Sequence, residues 1–176
     1  MNSAMNDAQI RNGEVRIAPV TLENRERVNE FILSRWFSLD MIIRGEVVDM
    51  RLADGFIAYK DETILGLITY RYISRDCEIL SLDSLKENQG IGTALIGKVK
   101  ETAVAAKCER LKLITTNDNI HAIRFYQKRG FDLACLYHDA VDAARRLKPS
   151  IPLLGDDDIP IRHELEFVYD LEPATA

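Results

Sequence analysis

Glu78-Ile-Leu-Ser-Leu-Asp-Ser-Leu-Lys-Glu-Asn-Gln-Gly-Ile-Gly-Thr-Ala-Leu-Ile96 changes character halfway along. Its first half is an apolar, strand-like run, and a polar loop containing Gly90 and Gly92 follows. From Gly90 to Lys107 the residues Ile91, Ala94, Leu95, Val99, Ala103 and Ala106 then recur on one face at helical spacing. The stretch predicts a strand, a glycine loop and a helix of about five turns. The first turn of a helix presents main-chain N–H groups without partners and the positive end of the helix dipole. Glycines there let an anion approach the backbone, so the junction suits a diphosphate. A Gly-x-Gly before a helix is also an ordinary tight turn, and this stretch alone names no ligand. A dinucleotide fingerprint would need a third Gly or Ala where Leu95 stands. A Walker loop would need Gly-Lys-Ser/Thr where Gly92-Thr93-Ala94 is found.

Upstream, Glu14 to Ala18 alternates as a first strand, and Thr21 is the expected N-cap of a helix that buries Val28, Phe31, Ile32 and Trp36. Phe37 to Met50 is apolar in patches and reads as a second short helix or a loop. Gly55 to Lys60, Thr63 to Ile73 and Cys77 to Leu85 are three β-rich runs joined by tight turns, which predicts a meander. Downstream come a strand over Leu111 to Thr115 and a helix from Ile120 to Arg129 stopped by Gly130. A strand over Phe131 to Tyr137 and a short helix from Ala140 to Leu147 follow. A last alternating strand carries Leu165, Phe167, Tyr169 and Leu171. The fold class is therefore α+β, a mixed sheet flanked by helices.

At 176 residues, 47% hydrophobic and 29% charged, the chain fits a single globular domain over residues 13–176, with residues 1–12 as a disordered tail. A net charge of −5 argues against a nucleic-acid partner, and no apolar run is long enough to span a membrane. Cys77, Cys108 and Cys135 are odd in number and far apart, which points to a reducing, cytoplasmic setting with no disulfide frame. His121, His138 and His163 lack metal-ligand spacing and read as surface or capping residues, and Asp156 to Asp158 lacks the spacing of a calcium loop. No metal is expected.

A second motif lies about thirty residues beyond the glycine loop: Asn119-Ile-His-Ala-Ile-Arg-Phe-Tyr-Gln-Lys-Arg-Gly-Phe131. With Glu87-Asn88-Gln89-Gly90-Ile91-Gly92, it makes the chain resemble the GNAT superfamily of acetyl-CoA-dependent N-acetyltransferases, best over residues 55–137. Both glycine positions match the family pattern, whereas Glu87 stands where Arg or Gln is usual. The resemblance implies a mostly antiparallel sheet with a splayed pair of strands and about four helices. It also implies acetyl-CoA as co-substrate and a small-molecule or peptide amine as acceptor. By the same resemblance, Leu82, Asp83 and Ser84 line the splay, and Asn88, Gln89, Gly90, Ile91, Gly92, Thr93 and Asn119 contact the coenzyme. Tyr126 matches the tyrosine that protonates the departing sulfur. Glu78 is the first candidate for the base and Asp83 the alternative, which five positions would place on the opposite strand face, and some enzymes of this kind need no dedicated base. Trp36 and Arg44-Gly45 fall where the family covers its acceptor site, with packing as the plain role for Trp36. A homodimer is compatible with this reading. The alternative functions are a coenzyme-A-binding module without catalysis and a structural domain without ligand.

Overall fold

Thr63–Ile73, rich in β-branched and aromatic side chains, forms a long interior strand of the sheet. The computed structural model describes residues 15–86 and 89–171, so the expected tail at 1–12 and the calls on Glu87 and Asn88 lie outside the described residues. The elements run β1 (Arg16–Pro19), α1 (Arg25–Trp36), β2 (Asp40–Ile43), β3 (Glu46–Asp49), a 3₁₀ turn at Met50–Leu52 and β4 (Asp54–Lys60). Then come β5 (Thr63–Ile73), β6 (Asp76–Ser84), α2 (Ile91–Ala105), β7 (Arg110–Thr116) and α3 (Ile120–Gln127). The chain closes with β8 (Asp132–Tyr137), α4 (Ala140–Leu147), a 3₁₀ turn at Asp156–Asp158 and β9 (Glu164–Asp170). A seven-stranded sheet has the order β1-β4-β5-β6-β7-β9-β8. Its pairs are antiparallel except β6 with β7. No helix among the described residues is long and apolar enough to cross a membrane.

Two local readings are corrected. The cap of α1 is Asn24, not Thr21: the Asn24 Oδ1 accepts from the Thr21 N–H at 2.8 Å and its Nδ2 donates to the Pro19 carbonyl at 3.0 Å. That side chain closes a turn over the residues expected to be helical, and the helix starts one residue after it. Phe37 to Met50 is neither a helix nor a plain loop but, for most of its length, the hairpin β2–β3. Arg44 and Gly45 take φ of +49° and +76° between the paired Ile43 and Glu46, the two left-handed positions of a twist-matched hairpin turn. The two strands read Asp-Met-Ile-Ile and Glu-Val-Val-Asp, whose adjacent apolar residues show no alternation.

The two faces of the sheet carry separate cores. Ile91, Leu95, Val99 and Ala103 of α2 pack with Ile68, Tyr70, Cys77 and Ile79 on one face. Val28 and Ile32 of α1 pack with Met50, Leu67 and Leu80 on the other. Ala106, expected on the buried stripe of α2, is exposed because the helix ends at Ala105. A Cβ on Gly66 would lie 2.7 Å from Ile91 Cγ2 and 3.0 Å from the Asp83 carbonyl, so this glycine sets how closely α2 approaches β5. Gly130, at φ +82°, ends α3 with bonds from the Phe131 N–H to the Tyr126 carbonyl and from the Gly130 N–H to the Gln127 carbonyl. This is the Schellman pattern. The buried Cys77 thiol is pushed up to about 12 by desolvation, which removes it as a nucleophile at neutral pH.

The bend in β6 shapes everything downstream. Ile79 pairs with Tyr70 and Ser81 with Thr69, leaving Leu80 as an extra residue. Such a bulge bends the strand, and β6 pairs with β7 only over Asp76–Ile79 against Arg110–Leu113 although both strands continue. Beyond this point the two strands part. The bulge also corrects the face assignment of the two candidate bases. Glu78, Ser81 and Asp83 pair with Arg71, Thr69 and Leu67, which alternate onto one face of β5, so Glu78 and Asp83 share a face.

Candidate active site

Two cavities meet where β6 and β7 separate. The first, of about 240 Å³, is walled by Leu82 and Ser84 of β6, by Gly90, Gly92 and Thr93 at the start of α2, and by α3. Gly90 takes φ +81° directly before the first helical residue, and nothing lies within 4 Å of where its Cβ would be. The first helical bond is Ala94 N–H to the Gly90 carbonyl at 2.9 Å, so the N–H groups of residues 91–93 precede it. No side chain caps α2, and its first turn carries no acid. Among the described residues these donors have no partner, and the positive dipole end stands at the cavity. A Cβ on Gly92 would sit 3.0 Å from Phe125 Cζ, which fixes the spacing between α2 and α3.

Lys86, His121, Phe125 and Arg129 also stand on this wall. Arg129 donates from Nε and Nη2 to Thr93 Oγ1 at 3.0 and 2.6 Å and from Nη1 to the Phe125 carbonyl at 2.8 Å. Its guanidinium lies 3.4 Å over the Phe125 ring. The cation is thereby locked beside the start of α2. These four residues were missed as site residues. Only the Lys-Arg-Gly-Phe end of the second motif hinted at Arg129, and His121 is on the surface, as expected, at the rim of this wall.

The second cavity, of about 420 Å³, is mostly apolar and is bounded by Trp36, the hairpin residues Met41–Ile43, β6, β7 and α4. Leu82, Asn119, Ala122 and Tyr126 line both cavities. Asn119 Oδ1 accepts from the Ala122 N–H at 2.9 Å, so it caps α3 from this shared wall. Tyr126 is buried between Phe125 and Phe131, whose rings meet it edge-on at 5.2 and 5.5 Å. Burial raises its pKa, the nearby Asp83 adds to the rise and Arg129 opposes it. The phenol therefore keeps its proton through the physiological range and is a donor.

The two candidate bases are placed differently from the tyrosine. Glu78, 1% exposed, is on neither cavity wall: Arg71 Nε reaches its Oε2 at 2.8 Å and Arg44 Nη2 its Oε1 at 3.4 Å. Arg71 also holds Glu46, and Arg44 approaches Glu166 at 3.6 Å, so this charge network ties the hairpin to the sheet. Asp83 is buried behind Trp36, whose Nε1 donates to its Oδ2 at 2.9 Å, with Arg35 Nε at 3.7 Å. Burial raises the Asp83 pKa against the lowering by Trp36 and Arg35. The structure thus gathers Tyr126, Leu82, Ser84, Gly90, Ile91, Gly92, Thr93 and Asn119 around one junction, and leaves Glu78, Asp83 and Gln89 off its walls. Asp118 and Glu164, unremarked in the sequence, are the acids of the second wall. Away from both cavities, the ligand atoms of His138, Asp139 and His163 lie within 4.8 Å of one another. There the His163 Nδ1 already accepts from the Asp139 N–H at 2.9 Å.

Residues 23–131 match the family described as Acetyltransferase (GNAT) family. The chain is 45% identical over 159 residues to the uncharacterized protein YxbD of Bacillus subtilis (strain 168), covering 90% of this chain and 100% of that one. It shares its fold with the IAA acetyltransferase from Bacillus cereus ATCC 14579, with a TM-score of 0.71 and 18% identity over 90% of this chain and 100% of the other. It also shares it with a GNAT family acetyltransferase from Elizabethkingia anophelis with acetyl-CoA bound, with a TM-score of 0.63 and 17% identity over 90% and 99%.

Proposed function

This chain belongs to the acetyltransferase (GNAT) family, and from that premise we propose that it moves an acetyl group from acetyl-CoA to a primary amine by direct attack in a ternary complex. The single observation that carries the reading is the meeting of two chemically different cavities at Tyr126. One offers unpaired amide donors and the cations Lys86 and Arg129, a fit for a diphosphate. The other is an apolar slot with two carboxylates, a fit for an amine. The neighbour from Elizabethkingia anophelis with acetyl-CoA bound supports the same co-substrate here.

Acetyl-CoA supplies an acyl group already activated as a thioester. In this proposal the main-chain donors of Gly90, Ile91, Gly92 and Thr93 hold the diphosphate, with Arg129 and Lys86 adding charge. The edge of β6 at Leu82, Asp83 and Ser84, released from β7 by the bulge, offers unpaired peptide groups to the amide-bearing arm. Asn119 closes the same wall. The acceptor nitrogen must be neutral to attack. As the N–C bond forms and the C–S bond breaks, Tyr126 O–H gives its proton to the departing thiolate. The proton shed by the acetylated nitrogen passes to solvent, from which the tyrosine regains its own. Glu78 acts here as the charge that positions the hairpin over the acceptor slot, through Arg44 and Arg71. Asp83 acts through Trp36.

The test is release of free thiol from acetyl-CoA by the purified protein against a panel of primary amines, with the product identified by mass. Thiol release that requires an amine and yields an acetylated amine is expected. Thermal stabilisation by coenzyme A without acetyl transfer to any amine would instead mark a binding module, a reading that draws on the engaged state of both candidate bases.

A further inference from the structure

Asp118 is 7% exposed on the acceptor wall, and its Oδ1 is buried with no hydrogen-bond partner. Among the described residues no cation approaches it: Lys148, which also lines the slot, points its Nζ to the Asp40 carbonyl at 3.4 Å. The second acid on the wall, Glu164, has a partner, since its Oε2 accepts from the Arg44 N–H at 3.1 Å. The carboxylate of Asp118 is also held in a fixed frame. A Cβ on Gly155 would fall 1.8 Å from Asp118 Oδ2, so that loop runs directly against it. The neighbouring Asn117 pins the return of the loop, with Oδ1 accepting from the Arg162 and His163 N–H groups at 2.9 and 2.8 Å and Nδ2 donating to the Pro160 carbonyl at 2.9 Å.

A buried carboxylate with an orphaned oxygen is costly and calls for a ligand or a chemical role. In an apolar slot the matching ligand is an ammonium, which is all donor and carries the opposite charge. The reacting nitrogen must shed its proton before it attacks beside Tyr126, so it cannot keep an ion pair through the attack. A lasting ion pair with Asp118 therefore belongs to a second nitrogen. We propose that the acceptor is an aliphatic diamine, with one amine at the Tyr126 junction, its methylene chain along the apolar wall and its other ammonium on Asp118. Glu164 adds negative potential to the same end of the slot. This inference rests on the acetyl-transfer reading above and narrows its acceptor.

The experiment compares putrescine, cadaverine and hexamethylenediamine with butylamine, pentylamine and hexylamine as acceptors for the full chain and for Asp118→Asn. The diamines are expected to exceed matched monoamines in kcat/KM by roughly 10- to 100-fold, the range of a charged hydrogen bond. In Asp118→Asn this preference collapses through a raised KM for the diamines, whose values converge on those of the matched monoamines. Ligand-free Asp118→Asn melts no lower than the parent, because a buried charge without a partner has been removed. Equal use of monoamines and diamines by the parent overturns the inference, as does a preference that survives in the variant. A lower melting temperature with equal loss on every amine overturns it too, as the mark of a structural role. Calorimetric titration of putrescine and butylamine into the protein saturated with coenzyme A reads the slot without turnover. Tighter diamine binding that Asp118→Asn abolishes upholds diamine recognition at Asp118 even where acetyl transfer fails and only the acetyl-transfer reading falls, and equal binding sinks it in either case.

Discussion

The cavity at the start of α2 is built largely from main chain, and the cavity beneath the β2–β3 hairpin from side chains. In the first, the end of β6, the opening turn of α2, and α3 with its flanking Asn119 and Arg129 supply the wall. In the second, the wall is collected from α1, the hairpin, β6, β7, α4 and the start of β9. A site made of amides and a helix end requires glycines at fixed places, here Gly90 for its left-handed φ and Gly92 for its approach to Phe125. A site made of side chains imposes no such local rule. On the proposed reading, the diphosphate end of the reaction would be held by the fold, and the acceptor end by residues the fold merely brings together.

Tyr126 sits on the boundary, and its change has the largest expected effect. Tyr126→Phe should lower kcat by about 10²–10⁴, the range for loss of a general acid, while coenzyme-A affinity measured by calorimetry stays near the parent. An equal loss in binding would place the residue in the coenzyme wall alone. Gly92→Val tests the main-chain cavity: its added carbons meet Phe125 and force α2 and α3 apart, and coenzyme-A affinity should fall roughly 10- to 100-fold, or about 1.4–2.7 kcal/mol. A variant that binds normally would break the claim that glycine spacing sets this wall.

Glu78→Gln tests the side-chain cavity. It leaves Arg44 and Arg71 without their buried partner, and because both arginines are partly exposed the cost should be about 1–3 kcal/mol in urea unfolding. The expected kinetic change is in KM for the amine. A hundredfold fall in kcat at unchanged stability would make Glu78 the base after all. The smallest effect is expected from Glu164→Gln. Burial raises the Glu164 pKa, with its bond from the Arg44 N–H and the Arg44 charge opposing. Folding therefore favours the protonated acid, and the stability it contributes is full below the ordinary glutamate value of about 4.3 and is lost as pH rises through the raised value. The variant should show a flatter melting temperature over that window than the parent. Identical curves would mean the acid is already satisfied.

Sequence and structure agree where period and punctuation are strong. Thr63–Ile73 and Ala140–Leu147 fall on the expected bounds, and Gly130 ends α3 as a glycine in its place should. They part where a single residue changes the count. The extra Leu80 in β6 carries no glycine or proline to announce it, yet it moves Asp83 onto the face of Glu78 and opens the sheet. The Arg44-Gly45 turn was visible as letters, but flanking strands without alternation gave it no context. Arg129 reaches Thr93 across 36 positions and Asp118 meets a loop that begins beyond α4, contacts that no local pattern encodes.

The central claim is that the amides opening α2 hold the coenzyme beside Tyr126. Calorimetric titration with coenzyme A, run in parallel on the parent, Tyr126→Phe and Gly92→Val, tests it most directly. Saturable binding is predicted for the first two proteins, with the glycine variant markedly weaker. Absence of any heat of association for the parent at millimolar coenzyme A would contradict the claim, and the acyl-transfer mechanism built on it would fall.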